Sequence, residues 1–286
     1  MKGIERTDTN FLNLSFNMKN RKIKFDLITN AQDSLYHAVE HLTNINGPTV
    51  GDLKRAILDV AHVVELILKE RLKRIHPAFI WQNVDKYPST EALTISTNVA
   101  VKRLFNIGGI SLSNSDIKTI SACRKLRNRI EHFEFEIELA KAKAIVGRML
   151  SFIFNFSKYN LGLDLETEFK QDDQWSELID IYEFWEAHSK ALENQLLDEG
   201  KPICECPLCG AQTFDLTVMK CALCDHSDEE VECDVCHETV WESNTEIVER
   251  IPGSRLIVCG KCLYGDDYLD FAVDLLRDRE LEEKNE

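Results

Sequence analysis

Four Cys-x-x-Cys pairs, Cys206/Cys209, Cys221/Cys224, Cys233/Cys236 and Cys259/Cys262, crowd into one short stretch near the end of the chain. Two thiolates at that spacing grip one face of a zinc ion from a tight turn, and two such turns complete a tetrahedron. Nine of the ten cysteines follow residue 200, whereas a disulfide framework is spread through a small secreted chain, so the clustering predicts two structural zinc ions in a reducing compartment. The first pair reads Cys206-Pro207-Leu208-Cys209-Gly210, with a glycine where the turn must aim backbone amides at sulfur. Sequential pairing, 206/209 with 221/224 and 233/236 with 259/262, is favoured over an interleaved cross-brace. The intervening segments Phe214 to Met219 and Thr239 to Val258 are expected to supply hairpin strands. With all four pairs complete, His226 and His237 are read as neighbours of the sites and Cys204 as a packed or exposed thiol. Eight thiolates leave no open coordination position for water, which assigns the ions to folding and not to chemistry.

The charge is distributed to match. Residues 201–286 hold 21 acids and 8 bases, whereas residues 101–160 hold 11 bases and 5 acids, although the whole chain carries a net charge of −15. Any contact with a phosphate backbone therefore belongs to the 101–160 stretch, and the acidic tail suits a protein contact. No apolar run approaches the ~20 residues of a membrane span. The opening MKGIERTDTNFLN has no apolar core of the kind a signal peptide carries, so a cytoplasmic protein without membrane contact is expected.

Ahead of the cysteines the chain reads as mainly α, because apolar residues recur at spacings of three and four with turn signals between the runs. Lys24 to Asn44 carries Leu27, Ala31, Leu35, Ala38 and Leu42 on one stripe and stops at Asn46-Gly47-Pro48. Val50 to Ile75 follows with Leu53, Ile57, Val60, Val64, Leu68 and Leu72. Ser113 to Phe133 opens on a cluster of N-cap residues, and Glu138 to Tyr159 is apolar around most of its circumference, as a central or interface helix would be. Pro77 to Gly109 is expected to be loops around a short helix at Thr97 to Asn106, and Glu166 to Leu197 one further helix. The predicted organisation is a helical domain over residues 1–165, a connecting helix over 166–200, tandem zinc ribbons over 201–265 and an acidic C-terminal helix over 266–286.

The helix that starts near Ser113 ends in Arg124-Lys125-Leu126-Arg127-Asn128-Arg129-Ile130-Glu131-His132-Phe133. Asn128 and His132 are four apart and share a face, with Arg127 one residue round. Histidine can move the proton of a ribose 2′-hydroxyl or of a leaving group near neutral pH, and arginine can brace the charge that grows on phosphorus, with no metal involved. Arg124, Lys125 and Arg129 are expected to steer RNA phosphates. Alternatively, Arg127 simply pairs with Glu131 at helical spacing.

Over residues 20–160 this arrangement resembles the HEPN domains, helical bundles whose nuclease members carry an arginine, four to six residues, and a histidine. Arg127 and His132 fit that spacing, Asn128 is the polar residue after the arginine, and Glu65-Leu66-Ile67-Leu68-Lys69 is similar to the family's second helix. The resemblance implies a HEPN-like bundle and a metal-independent endoribonuclease. It further implies a homodimer with two motifs facing across a shared cleft, and a role in toxin-antitoxin or anti-phage defence. Glu134 stands where family toxins silenced by a nucleotidyltransferase carry tyrosine. That departure makes the zinc ribbons the candidate sensor or regulator and an antitoxin or phage protein their candidate partner. A non-catalytic RNA- or protein-binding adaptor is the alternative, and a zinc-ribbon transcription regulator a more distant one.

Overall fold

The computed structural model describes residues 25–43, 47–89, 91–171, 174–251 and 254–264. They divide into two compact units, residues 1–166 and 167–286.

The first unit is helical throughout. Helix α1, Leu27–Leu42, buries Ala31, Leu35, Ala38, Val39 and Leu42 on one stripe, against α2, Val50–Ile75. Asp26 starts α1 by accepting from the amide of Thr29, and Thr49 starts α2 through a reciprocal box, its hydroxyl accepting from the amide of Asp52 while the Asp52 carboxylate accepts from the Thr49 amide. Helix α2 packs against α1, α3 (Thr97–Asn106), α4 (Asn114–His132) and α5 (Leu139–Phe156), which explains why it is apolar over more than one stripe. Within it, Lys69 is 6% exposed and its ammonium meets Glu65 at 2.5 Å and the Thr94 hydroxyl at 2.9 Å, so the buried charge is matched. As its composition suggests, α5 is buried on nearly every side, with Ile145, Met149, Leu150, Ile153, Phe154 and Phe156 all inside. The less regular stretch between α2 and α3 is held by Arg103, which donates to the carbonyls of Phe79 at 2.6 Å and Trp81 at 2.8 Å.

In the second unit the single helix expected over Glu166 to Leu197 is replaced by three: α6, Leu165–Lys170, α7, Gln174–Ile179, and α8, Tyr182–Asp198. The breaks let Phe169, Trp175, Phe184 and His188 all turn inward, with Trp175 edge-on to Phe184 at 5.6 Å and to His188 at 5.7 Å. A straight helix would spread those side chains around its axis. This segment also packs on the cysteine-rich part: the Trp175 indole donates to the carbonyl of Leu223 at 2.8 Å and Lys170 to that of Ala222 at 2.6 Å.

The strands are short and antiparallel. β1 (Ile203–Cys204), β2 (Phe214–Asp215) and β3 (Lys220–Cys221) form one sheet; β4 (Glu230–Glu232) pairs with β5 (Thr239–Trp241) and β6 (Thr245–Ile251) with β7 (Ser254–Cys259). The two expected strand segments are thus each subdivided, since only Phe214 and Asp215 pair within 214–219, and 239–258 contains a turn at Glu242–Asn244 and a separate hairpin. A final short helix, α9, spans Gly260–Leu263. The acidic C-terminal helix expected over 266–286 lies outside the described residues. Among the described residues no helix is long and apolar enough to cross a membrane.

Candidate functional site

The cysteines fall into two groups of four, Cys206, Cys209, Cys221 and Cys224, and Cys233, Cys236, Cys259 and Cys262, with the sulfurs of each group within 4.8 Å of one another. This is the sequential pairing. No cysteine is in a disulfide, and sulfurs of different pairs stand 3.7 Å (Cys206 to Cys224), 3.8 Å (Cys209 to Cys221) and 4.0 Å (Cys236 to Cys259) apart. A tetrahedron with metal–sulfur bonds of ~2.3 Å has edges of ~3.8 Å, so the donor sets fit two zinc ions.

Local backbone explains how each pair is presented. In three of the four, the residue after the second cysteine is left-handed: Gly210 at φ 70°, Asp225 at 62° and His237 at 60°. In each, its amide closes the turn on the carbonyl of the first cysteine, at 2.9, 3.1 and 2.8 Å. Glycine takes that conformation without strain, and Asp225 and His237 adopt it inside the same turn. The fourth pair differs from the expected ribbon knuckle. Cys259 is the N-cap of α9 and Cys262 sits in its only turn, so the second cluster joins a turn to a helix start. Burial works against ionisation of Cys233, but the backbone amides of Cys259, Cys236 and Val235 outweigh it and bring this thiol down to about 6. Hydrogen bonding by Cys209 and Cys224 holds the Cys221 thiol far below its ordinary range. Cys204 lies in β1 outside both groups, His226 turns to Asp228 at 3.3 Å, and His237 to Glu232 at 2.9 Å.

Asp228 joins the two clusters, and nothing in its sequence context announces it. Its carboxylate accepts from the Ser243 hydroxyl at 2.5 Å and from the amides of Ser243 at 3.1 Å and Glu229 at 3.0 Å, while Phe214 and Trp241 pack at 5.0 Å. Burial raises the pKa of this carboxyl, but those donors and His226 outweigh it, and the net shift is downward. Asp228→Ala removes a buried carboxylate that serves three part-buried donors and is expected to destabilise the second unit by about 1–2 kcal/mol, read as a lower denaturant midpoint in Trp fluorescence. An unchanged midpoint would show that the clusters do not depend on this link.

In the helical unit five of the six candidate residues on α4 separate into two groups. Arg124, Arg127 and Asn128 line a cavity of about 140 Å³ together with Glu65 and His62 from α2 and the start of α3 at Ser96 and Thr97. Cys123 also faces it, and burial raises that thiol to about 12, which makes it a neutral part of the wall. Lys125 and Arg129 point away, into a separate depression with Glu136, Glu138 and Lys141. The split follows from helix geometry, since residues 124, 127, 128 and 131 fall within ~100° of arc and 125 and 129 lie beyond it.

His132 is the last residue of α4 and lines neither hollow. Its imidazole is 64% exposed, and the same Glu131 oxygen that meets Arg127 at 2.9 Å lies 3.8 Å from His132 Nε2. Arg127 also donates to the side-chain oxygen of Asn128 at 3.2 Å. The expected convergence is therefore partial: Arg127 and Asn128 touch, and His132 is linked to them only through Glu131.

No known protein family, curated protein or solved structure matches this chain. Two further members of the cavity, His62 and Glu65, lie in the middle of α2; the sequence leaves Glu65 open between a helix-surface acid and a site residue, and His62 between a core or surface residue and one that lines the cleft. Thr97 carried no signal there, because its contribution depends on α3 folding back beside α4.

Proposed function

We propose that this protein is a metal-independent endoribonuclease of the HEPN kind, acting as a homodimer in toxin-antitoxin or anti-phage defence. Zinc in both tetracysteine clusters builds the regulatory or sensing part, and an antitoxin or phage protein is its proposed partner. The observation that carries the reading is the accessible end of α4: Arg127 is 40% and His132 64% exposed, side by side along Glu131 and free of the bundle interior. Residues placed this way can be shared with a second copy across a cleft. In the reaction, His132 takes the proton of a ribose 2′-hydroxyl or delivers one to the leaving 5′-oxygen, and Arg127 and Asn128 hold the phosphoryl oxygens as charge builds on them. The 2′-oxygen bonds to phosphorus as the bond to the 5′-oxygen breaks.

Mapping the ends of cleaved RNA tests this directly. The expected products carry 2′,3′-cyclic phosphate and 5′-hydroxyl termini, whereas 3′-hydroxyl and 5′-phosphate termini would rule out 2′-hydroxyl attack. RNA retained without cleavage favours the second reading, a non-catalytic RNA- or protein-binding adaptor. Glu131 is the observation on that side, because its carboxylate already occupies Arg127. For the enzyme, Glu131 acts as a competitor that RNA must displace. Glu131→Gln is then expected to lower the KM for RNA about threefold, the scale of one exposed ion pair, with kcat nearly unchanged.

A further inference from the structure

We infer that Arg124, Arg127 and Asn128, with the start of α3 at Ser96 and Thr97, form a subsite for a phosphate monoester. The inference shares Arg127 and Asn128 with the ribonuclease proposal but does not rest on cleavage.

Three independent features converge on one cavity. Arg124 Nε is buried and has no hydrogen-bond partner, although Arg124 lines the hollow. Buried donors are almost always satisfied, and a guanidinium left with a free N–H beside an opening is a donor awaiting an acceptor. A second guanidinium, Arg127, lines the same hollow. Finally, the N-cap of α3, Ser96, makes no side-chain bond to the first-turn amides, and Ser96 and Thr97 line the cavity. The N-terminus of this 10-residue helix thus presents free amides and the positive end of its dipole toward the two arginines.

The charge balance favours an anion. Glu65, the carboxylate on the cavity wall, is matched by Lys69 at 2.5 Å, and Arg127 pairs with Glu131 at 2.9 Å, which leaves the Arg124 charge unmatched among the described residues. The floor is apolar, from Val64, Ile120 and Met149. Planar forked donors from two arginines suit an oxyanion with several acceptor oxygens. Size agrees: a cavity of about 140 Å³ has room for one phosphoryl group. A monoester or free phosphate offers three unesterified oxygens to the two guanidiniums and the α3 amides, one more than a diester does. The phosphorylated end of an RNA and inorganic phosphate both present this chemistry.

Calorimetric titration of the full-length, metal-loaded protein with inorganic phosphate tests the subsite. Wild type is expected to show saturable binding at one site per chain, and Arg124→Gln to bind at least tenfold more weakly with an unchanged helical circular dichroism signal. Ala61→Leu, which fills the cavity from α2 without altering a charge, is expected to weaken binding as much and decides the matter should Arg124→Gln misfold. His132→Ala should bind phosphate as wild type does, so loss of the cleavage reading leaves this result standing. A second arm compares 5′-phosphorylated with 5′-hydroxyl oligouridylate. A tenfold preference for the phosphorylated strand assigns the site to an RNA end, and equal affinity beside saturable phosphate binding assigns it to the free ion. Absence of saturable binding, or affinities within twofold across wild type, Arg124→Gln and Ala61→Leu, overturns the inference.

Discussion

For the proposed ribonuclease, replacing His132 with alanine is expected to lower RNA cleavage about a thousandfold and to abolish toxicity in cells, without changing the helical signal, the oligomeric state or the metal content. The size follows from the role: a positioned general acid or base contributes ~10²–10⁴-fold. The specificity follows from the surroundings. The imidazole is 64% exposed at the end of α4 and its nearest charged partner, Glu131, is 3.8 Å away, so its removal opens no cavity and strands no buried group. Arg127→Ala should match the loss in kcat and also raise the KM, because in this proposal the guanidinium holds the phosphoryl oxygens in the bound RNA and meets the charge that grows on them. Gel-based cleavage of labelled RNA, alongside toxicity on induced expression, gives the comparison. Wild-type cleavage by a His132→Ala protein of normal dimeric state would end the ribonuclease proposal.

Much of the helical unit was legible because its signals are local. Apolar spacing located α1, α2, α4 and α5, and the Ser113 cap and the Asn46-Gly47-Pro48 stop sit at or beside helix boundaries. The second unit was less legible where packing overrides local preference. No glycine or proline marks the break at Ile181, whose extended backbone (φ −79°, ψ 102°) separates α7 from α8. That break is imposed by turning Trp175 and Phe184 onto each other, a contact between residues nine positions apart.

The candidate sites show the same division. A Cys-x-x-Cys spacing announces ligands but not their backbone, since two intervening residues fit both a left-handed knuckle, as at Cys206 to Cys209, and the first turn of a helix, as at Cys259 to Cys262. On α4 the residue types were plain, but which bases share a hollow depended on the orientation of the helix against α2 and α3. Arg124 therefore belongs with Arg127 at the cavity, and Lys125 and Arg129 do not. Asp228 carried no signal because its partner Ser243 is fifteen residues away, beyond the β4–β5 pair.

Stripping the metal is expected to unfold the cysteine-rich segment from Ile203 to Tyr264 while leaving the helices of the first unit intact. The strands here are two to seven residues long, too short to persist as isolated pairs. The buried core of the second cluster consists of Cys233, Val258, Cys259 and Cys262, so three of its four members are the ligands themselves. Without a metal, that core is three thiols and Val258, flanked by the partly buried Val235, Val240, Val248, Leu256 and Leu263. Structural zinc contributes ~10–16 kcal/mol of binding free energy that is also folding free energy, as much as the ~5–15 kcal/mol total stability of an ordinary domain. A membrane-permeant chelator should therefore release two zinc ions per chain and shift the emission of Trp241 and Trp175 toward that of exposed indole. Most of the far-ultraviolet helical signal should remain. Cys233→Ser should release one ion and leave the Cys206 cluster loaded, because the two donor sets share no residue. A protein that loses both ions and keeps its tryptophan environment and denaturant midpoint would show that hydrophobic packing alone holds this segment, and the structural assignment of the clusters would fall.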